Sequence, residues 1–259
     1  MKKIESEYFS QVSEILKNHI LLEFTHRMNS AESVDISDKD LTAFCVDFNK
    51  EYFPIVVLIG GVQGSGKSTF IEYCSKHMMN VREESTIDCC KALVRDIVNK
   101  EPVAYREALE VSIAAKDEKY RTLLSKLKTL WCEFDDGPNS IVCDVINSLF
   151  DKNIASVIFV NVREPSQIEH LKYRIESECN ITVLTMSVLR NSPKDEMNES
   201  DKYTLEYAYD LQIPNIGTTN ELEFAAVQFC LSVDHSNSVV RKLYDELLST
   251  VYFASTDTF

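Results

Sequence analysis

The sequence predicts an α/β fold in which a parallel β-sheet carries helices on both faces. Apolar segments of strand length alternate with segments of helical periodicity, which favours parallel strands joined by crossover helices. The two strongest strand segments, 55–59 and 156–162, are β-branched or aliphatic along most of their length, as expected for strands buried on both faces. We expect further strands at 84–88, 181–186 and 209–213, and helices at 67–79, 89–98, 102–115, from about 118 to 131, 139–151, 165–178 and 219–232.

One segment, 61–68, matches the pattern G-x-x-x-x-G-K-[S/T] at every defined position. It follows a buried strand and opens a helix, which is the setting that this motif requires. Glycines lack a Cβ atom, so successive N–H groups can turn inward around an anion, and the helix N-terminus adds its positive dipole end. A glycine-rich turn that only joined strand to helix would need neither the Lys-Ser pair nor this spacing. The motif therefore predicts a three-layer P-loop fold that binds a nucleoside triphosphate.

Within this phosphate loop, the residues have distinct expected roles. We expect Lys67 to reach the β- and γ-phosphates of ATP, and the Ser68 hydroxyl to ligate Mg²⁺. The other residues expected to bind the cofactor are Gly61, Val62, Gln63, Gly64, Ser65, Gly66 and Thr69.

The amino-acid composition limits the kinds of molecule that we expect the protein to bind. The chain of 259 residues has 27 Lys and Arg against 41 Asp and Glu, a net charge of −14. A surface this acidic repels nucleic acid unless it has a local basic groove, and no run of Lys and Arg indicates one. No apolar segment has the length of a membrane span or the pattern of a signal peptide. We therefore expect a cytoplasmic protein without a nucleic-acid or membrane partner, whose eight cysteines stay reduced.

The predicted domain organisation has three parts. Residues 1–53 form an N-terminal helical extension, residues 54–235 the nucleotide-binding domain, and residues 236–259 a C-terminal helix and tail. The amphipathic pattern of the extension favours an additional layer packed on the sheet. The alternative is a surface for a homodimer or a protein partner.

Charged residues follow several predicted strands. In parallel sheets, ligands bind at the carboxyl ends of the strands, and Asp88, Arg163 and Arg190 are expected there together with the phosphate loop. Asp88 could instead only cap a helix, and Arg163 could form a surface ion pair with Glu164.

Two missing sequence patterns narrow the chemistry. The strand at 156–162 is not followed by the Asp-Glu pair typical of motor ATPases, and no N-K-x-D guanine-binding motif is present. Both absences favour a kinase for small molecules, in which an acceptor replaces water and Arg side chains neutralise the moving phosphoryl group.

Several segments beyond the phosphate loop resemble those of a known family. These are 85–91, 116–121 with Leu124, Leu127 and Lys128, 133–138, 162–165 and 209–218. They are similar to the adenylate-kinase-like and deoxynucleoside-monophosphate-kinase-like proteins of bacteria and phages, within the P-loop nucleoside and nucleotide kinases. The resemblance covers about residues 55 to 233.

The resemblance implies transfer of the ATP γ-phosphoryl group to a (deoxy)nucleoside monophosphate. It implies that Arg163 and Arg190 clamp phosphates and that Asp88 orients the acceptor or helps to hold Mg²⁺ through water. Arg121 is then a candidate to bind the acceptor phosphate, because Arg binds phosphate with a planar fork, although a helical Arg is often only solvated.

The resemblance also assigns roles to two later segments. Residues 189–202 would form a lid that excludes water, and Asn215 and Gly217 would lie in the turn beside the adenine. Arg190 is the only arginine of this lid, which is few for an adenylate-kinase-type lid. A kinase acting on a non-nucleotide phosphorylated acceptor, and a regulatory ATP-binding switch with slow turnover and a protein partner, remain open as alternatives.

Overall fold

The computed structural model describes residues 55–62, 64–100, 103–115, 118–152, 154–162, 164–179, 181, 183–190, 204–215 and 218–235, together with residues 14, 15, 18 and 238. Predicted features elsewhere lie outside the described residues, among them most of the N-terminal extension and of the C-terminal segment 236–259.

The sheet contains five parallel strands in the order β2-β3-β1-β4-β5. The strands are β1 (Ile55–Gly60), β2 (Val81–Ser85), β3 (Val157–Asn161), β4 (Val183–Arg190) and β5 (Leu211–Asn215). The helices are α1 (Lys67–His77), α2 (Thr86–Lys100), α3 (Val103–Ala115), α4 (Glu118–Asp135), α5 (Gly137–Asp151), α6 (Pro165–Glu178) and α7 (219–235). This arrangement confirms the predicted α/β class.

Helices cover both faces of the sheet. Alternate residues of β1 point to opposite faces, so that Val57 packs in the core under α1 and α7 while Leu58 packs under α5 and α6. On the first face, Phe70, Phe159 and Phe229 pack edge-on or tilted, with ring centroids about 6 Å apart. Burial of each such ring contributes roughly 1.5–3 kcal/mol. The first of these cores fixes α1, and hence the loop that precedes it, against β1.

A smaller core holds the helical segment between β2 and α5. It joins α2 to α4 through five buried side chains, Cys90, Val94, Val98, Tyr120 and Leu124. On α2 the members of this core follow a spacing of four residues, which places them on one side of the helix.

The strand predicted at 84–88 is wrong by three residues, because β2 ends at Ser85. The residues of β2 are mostly polar, so no apolar run indicates this strand in the sequence. Polar residues are compatible with a strand here because β2 lies at one edge of the sheet. Asp88 therefore lies in the first turn of α2 and not at the end of a strand.

The two strands on the other side of the sheet, in contrast, end later than predicted. β4 continues to Arg190 because it pairs with β5 as far as the register pair Arg190 and Asn215. Leu189 and Arg190 of the predicted lid at 189–202 thus belong to β4, and residues 191–202 lie outside the described part of the chain, so the lid stays a prediction. β5 includes Pro214, which lacks an N–H group, and the edge position of this strand makes that acceptable.

A single residue, Asp136, separates α4 from α5, and it has a positive φ of 55°. On α5, Ile141 is 38% exposed. The buried face of α5 instead contains Val142, Cys143, Ile146 and Phe150.

The few described residues before β1 show one contact. Residues 14, 15 and 18 are helical, and Ile15 packs against the core under α1 and α7. Among the described residues, no helix combines the length and the apolar character needed to cross a membrane.

Candidate nucleotide-binding site

The phosphate loop lies at the carboxyl end of β1, the central strand. The chain leaves β1 towards β2 on one side of the sheet and leaves β4 towards β5 on the other side. Connections that diverge in this way open a crevice above the carboxyl ends of β1 and β4, where open α/β sheets bind their ligands. The loop occupies this crevice.

Two glycines of the loop are required by close contacts and by backbone conformation. Gly61 has φ of 135°, and a Cβ there would lie 2.6 Å from the Val188 carbonyl oxygen. Gly66 has φ of 103° and is the residue immediately before α1, and its Cβ would lie 2.6 Å from the side-chain nitrogen of Asn215. Any other residue would strain the backbone at either position and push the loop away from β4 or β5.

Lys67 spans the loop. Its ammonium nitrogen donates to the carbonyl of Gly61 at 2.6 Å and to that of Val62 at 3.0 Å. The side chain thus reaches from the first residue of α1 back to the start of the loop, and its positive charge lies across the loop. A triphosphate bound by the loop amides would meet this charge directly.

Arg190 and Asn215 hold the opposite side of the loop. Arg190 donates from a terminal guanidinium nitrogen to the carbonyl of Gly64 at 3.1 Å. Asn215 donates from its side-chain amide to the carbonyl of Ser65 at 2.7 Å. The ends of β4 and β5 therefore bind two consecutive loop carbonyls.

The N-terminus of α1 faces the same crevice. Its first intrahelical hydrogen bond runs from the Phe70 N–H group to the Gly66 carbonyl, at 2.9 Å. The N–H groups of 67–69 consequently have no acceptor within the helix, and they provide the positive end of the helix dipole. The exposed hydroxyl of Ser68 and the half-buried Thr69 lie in this first turn. These groups fit a triphosphate with Mg²⁺, whose preferred ligands are hydroxyl, water and phosphate oxygens.

Polar side chains also occupy the carboxyl ends of β2 and β3. Asn161 ends β3 beside Ile59 and donates to the Glu83 carboxylate at 2.6 Å. The neighbouring Glu84 is half-buried, and burial, followed by the negative charge of Asp88, raises the pKa of its carboxyl group. β3 thus ends in an amide where a carboxylate would hold Mg²⁺ in a motor ATPase.

The residues predicted to bind the acceptor are less closely assembled. Asp88 is 61% exposed and forms an ion pair with Lys91, one turn further along α2. Arg121 is exposed on α4. Of the other predicted site residues, Gln63, Arg163 and Gly217 lie outside the described residues.

Lys128 is a partly buried cation for which no role is predicted from the sequence. Its side chain is 12% exposed, forms an ion pair at 3.5 Å with Glu164 and donates a hydrogen bond to Gln167. It joins α4 to the first turn of α6, directly after the carboxyl end of β3. Its spacing of four residues from the buried Leu124 is the sequence signal for a lysine on a buried helix face.

No protein-family model and no curated protein matches the chain. Among solved structures it is similar to an unliganded sugar kinase from Janibacter sp. HTCC2649, with 12% identity over 71% of this chain and 98% of that chain and a TM-score of 0.38. It is also similar to TT1252 from Thermus thermophilus, with 16% identity over 66% of this chain and 94% of that chain and a TM-score of 0.37. The signal recognition particle receptor FtsY from Elizabethkingia anophelis, in complex with GDP, shows 11% identity over 88% of this chain and 95% of that chain, with a TM-score of 0.33. These likenesses are too weak to indicate a function.

Proposed function

We propose that this protein is a P-loop phosphotransferase that moves the γ-phosphoryl group of ATP to a small phosphorylated acceptor, a (deoxy)nucleoside monophosphate. The observation that carries the proposal is the geometry of the phosphate loop. Its glycines adopt positive φ at 61, 64 and 66, Lys67 crosses the loop, and α1 begins directly behind it.

The phosphate loop and Arg190 have distinct roles in this proposal. The loop amides and Lys67 bind the β- and γ-phosphates, and the Ser68 hydroxyl holds Mg²⁺. Arg190 lies within reach of the same phosphates, since it already contacts Gly64, and it stabilises the charge that moves from donor to acceptor. The hydrogen bond to Gly64 uses one of the five N–H groups of the guanidinium, so other N–H groups of Arg190 can bind phosphate.

The choice of a nucleoside monophosphate as acceptor depends on the resemblance described above. The acceptor would lie beyond the carboxyl end of β3, where Asp88 and Arg121 lie on the helical segment between β2 and α5. Binding of the acceptor would have to draw the Asp88 carboxylate away from Lys91, or use both groups together.

The test is a coupled assay for ADP formation with MgATP and each ribonucleoside and deoxyribonucleoside monophosphate in turn. We expect one or two monophosphates to stimulate ADP formation, and Lys67→Ala to lower the stimulated rate at least about a hundredfold. Lys76→Ala is the matched control, because Lys76 lies on the same helix, is exposed, and forms an ion pair with Glu72 and a cation–π contact with the ring of Tyr73.

A regulatory ATP-binding switch is the second candidate. Two observations together favour it. Lys67 lies across the described part of the phosphate loop, whereas on the acceptor side the predicted carboxylate, Asp88, is exposed and paired with Lys91. In that case the assay would show slow ADP formation that depends on Lys67 and that no monophosphate increases. That result would exclude a nucleoside monophosphate kinase.

A further inference from the structure

We infer that Asn215 is a positioning residue of the phosphate loop, which sets the direction of the Gly66 N–H group for phosphate binding. This inference rests on the proposed function. It differs from the role that the resemblance implies for Asn215, a position beside the adenine.

The first step of the inference is the geometry of one peptide group. The Ser65 carbonyl and the Gly66 N–H belong to the same peptide, and the described part of the chain contains no cis peptide bond. In a trans peptide the C=O and N–H bonds point in opposite directions. By binding the Ser65 oxygen at 2.7 Å, Asn215 therefore turns the Gly66 N–H away from β5 and towards the inside of the loop.

The second step is that this peptide depends on Asn215 for its orientation. Gly66 has φ of 103°. A peptide group next to a glycine can rotate its plane at little cost, because glycine has few steric restrictions on its backbone. Ser65 itself is fully buried, and its own N–H group donates to the Val62 carbonyl at 3.1 Å. The peptide between Ser65 and Gly66 is thus held on its carbonyl side by a side chain from a different strand.

The third step concerns the rigidity of the support. Asn215 is the last residue of β5, and its register partner Arg190 is the last residue of β4. A side chain anchored at the end of a paired strand positions its target more accurately than one on a free loop. The close fit is also visible at Gly66, where a Cβ would overlap the Asn215 side-chain nitrogen.

The two possible roles of Asn215 predict that its substitution lowers the affinity for different sets of ligands. A residue that contacts the base affects nucleotides according to their base and has no effect on a ligand without one. A residue that orients the Gly66 amide affects every triphosphate equally, because this amide contacts phosphate only.

The experiment measures the affinity of the full chain for ATP, GTP and inorganic tripolyphosphate, each with Mg²⁺, by titration calorimetry. We expect Asn215→Ala to weaken all three about tenfold, as for the loss of one well-placed hydrogen bond. Asn215→Asp has nearly the same shape but puts a carboxylate against the Ser65 carbonyl and near the phosphates, so that it should weaken all three about a hundredfold. Asn215→Gln keeps the amide and should lose less than Asn215→Ala.

Gln212→Ala is the matched control, because Gln212 is an exposed amide on the same strand, and its affinities should stay at the wild-type values. Thermal unfolding of each variant separates loss of binding from loss of folding. If Asn215→Ala does not fold, the triphosphate affinities of Asn215→Asp and Asn215→Gln are compared instead. An affinity for tripolyphosphate that is equal in wild type and variants, or a loss confined to one base, would overturn the inference. If the wild-type chain bound none of the three ligands, the proposed function itself would fail.

Discussion

Arg190 and Asn215 are register partners at the carboxyl ends of β4 and β5, and their side chains donate to consecutive carbonyls of the phosphate loop. The two strands thereby hold one side of the loop, while Lys67 holds its beginning from the other side. The loop is therefore oriented before any ligand binds, and preorganised amides bind a charged group without the cost of ordering them during binding.

This arrangement predicts unequal effects of alanine at two glycines of the loop. Gly66→Ala should lower the free energy of unfolding by about 3 kcal/mol, because φ of 103° is strained for alanine and the new Cβ meets Asn215. Gly64→Ala should cost only about 1 kcal/mol, because φ of 73° is close to the left-handed region and no atom lies within 4 Å of a Cβ there. Urea unfolding of both variants measures the difference. Equal losses would show that the contact with Asn215 contributes nothing.

A second prediction concerns the polar network that joins the start of α5 to α6. The Asp136 carboxylate accepts hydrogen bonds from Asn139 at 2.6 Å, His170 at 2.8 Å and Arg174 at 2.6 Å. Asp136→Asn removes the charge while Asn still tolerates the positive φ. We expect the free energy of unfolding to fall by about 2 kcal/mol, the range for hydrogen bonds to charged groups. Asp144→Asn, an exposed position on α5, is the control and should change it by less than about 0.5 kcal/mol.

The Asp136 carboxylate should also make the free energy of unfolding depend on pH. Burial by itself would raise the pKa of Asp136, but the hydrogen bonds from His170, Arg174 and Asn139 outweigh it and hold that pKa below its usual range. The unfolded chain then takes up the proton first as the pH falls. The stabilisation by Asp136 is thus fully present above about pH 5 and is lost between the unfolded pKa near 4 and the lower folded pKa. Urea unfolding from pH 7 to pH 3 should show a shallower loss for Asp136→Asn than for wild type, and parallel curves would contradict this assignment.

The core of the fold could be predicted from the sequence because its signals are local and strong. The segment 55–59 is apolar without a break, and α6 begins at the predicted residue because proline favours the first turn of a helix. The phosphate loop is recognisable because its backbone conformation demands glycine at fixed positions. The edge strand β2 gave no comparable signal, since half of its surface faces solvent and its residues are mostly polar.

The contacts of Asn215 could not be predicted, because they depend on the register of β5 against β4 and on the path of a loop that lies 150 positions earlier in the chain. The contacts of Asp136 could not be predicted for the same reason, since its partners His170 and Arg174 come from another helix. Sequence periodicity identifies the elements, and it does not state which side chains meet between them.

A further prediction uses the only tryptophan of the chain as a reporter. A Cβ at Gly137 would lie 1.9 Å from the indole nitrogen of Trp131, so that Gly137→Ala forces the ring or the start of α5 to move. We expect a loss of about 2–3 kcal/mol in the free energy of unfolding and a shift in tryptophan fluorescence in the folded state. Ala at the exposed Ser166, on the first turn of α6, is the control and should leave the emission unchanged. Wild-type emission from Gly137→Ala would contradict the close packing of Trp131.

The last prediction concerns the hydroxyl group of Tyr209, which lies under the start of the phosphate loop. It is buried against Gly60, where a Cβ would lie 2.0 Å from the Tyr209 oxygen, and it has no hydrogen-bond partner among the described residues. Burial raises the pKa of this hydroxyl to about 12. An unpaired buried hydroxyl costs roughly 1–3 kcal/mol in desolvation.

Tyr209→Phe removes that cost and keeps the ring, which packs edge-on against Tyr207. We therefore expect the free energy of unfolding to rise by about 1 kcal/mol in urea titrations. Tyr173→Phe, at a position that is 71% exposed, should leave it unchanged within about 0.5 kcal/mol. A Tyr209→Phe variant that is less stable than wild type would show that the hydroxyl is paired in solution, and the base of the phosphate loop would then contain a polar contact that helps to hold Gly60 in place.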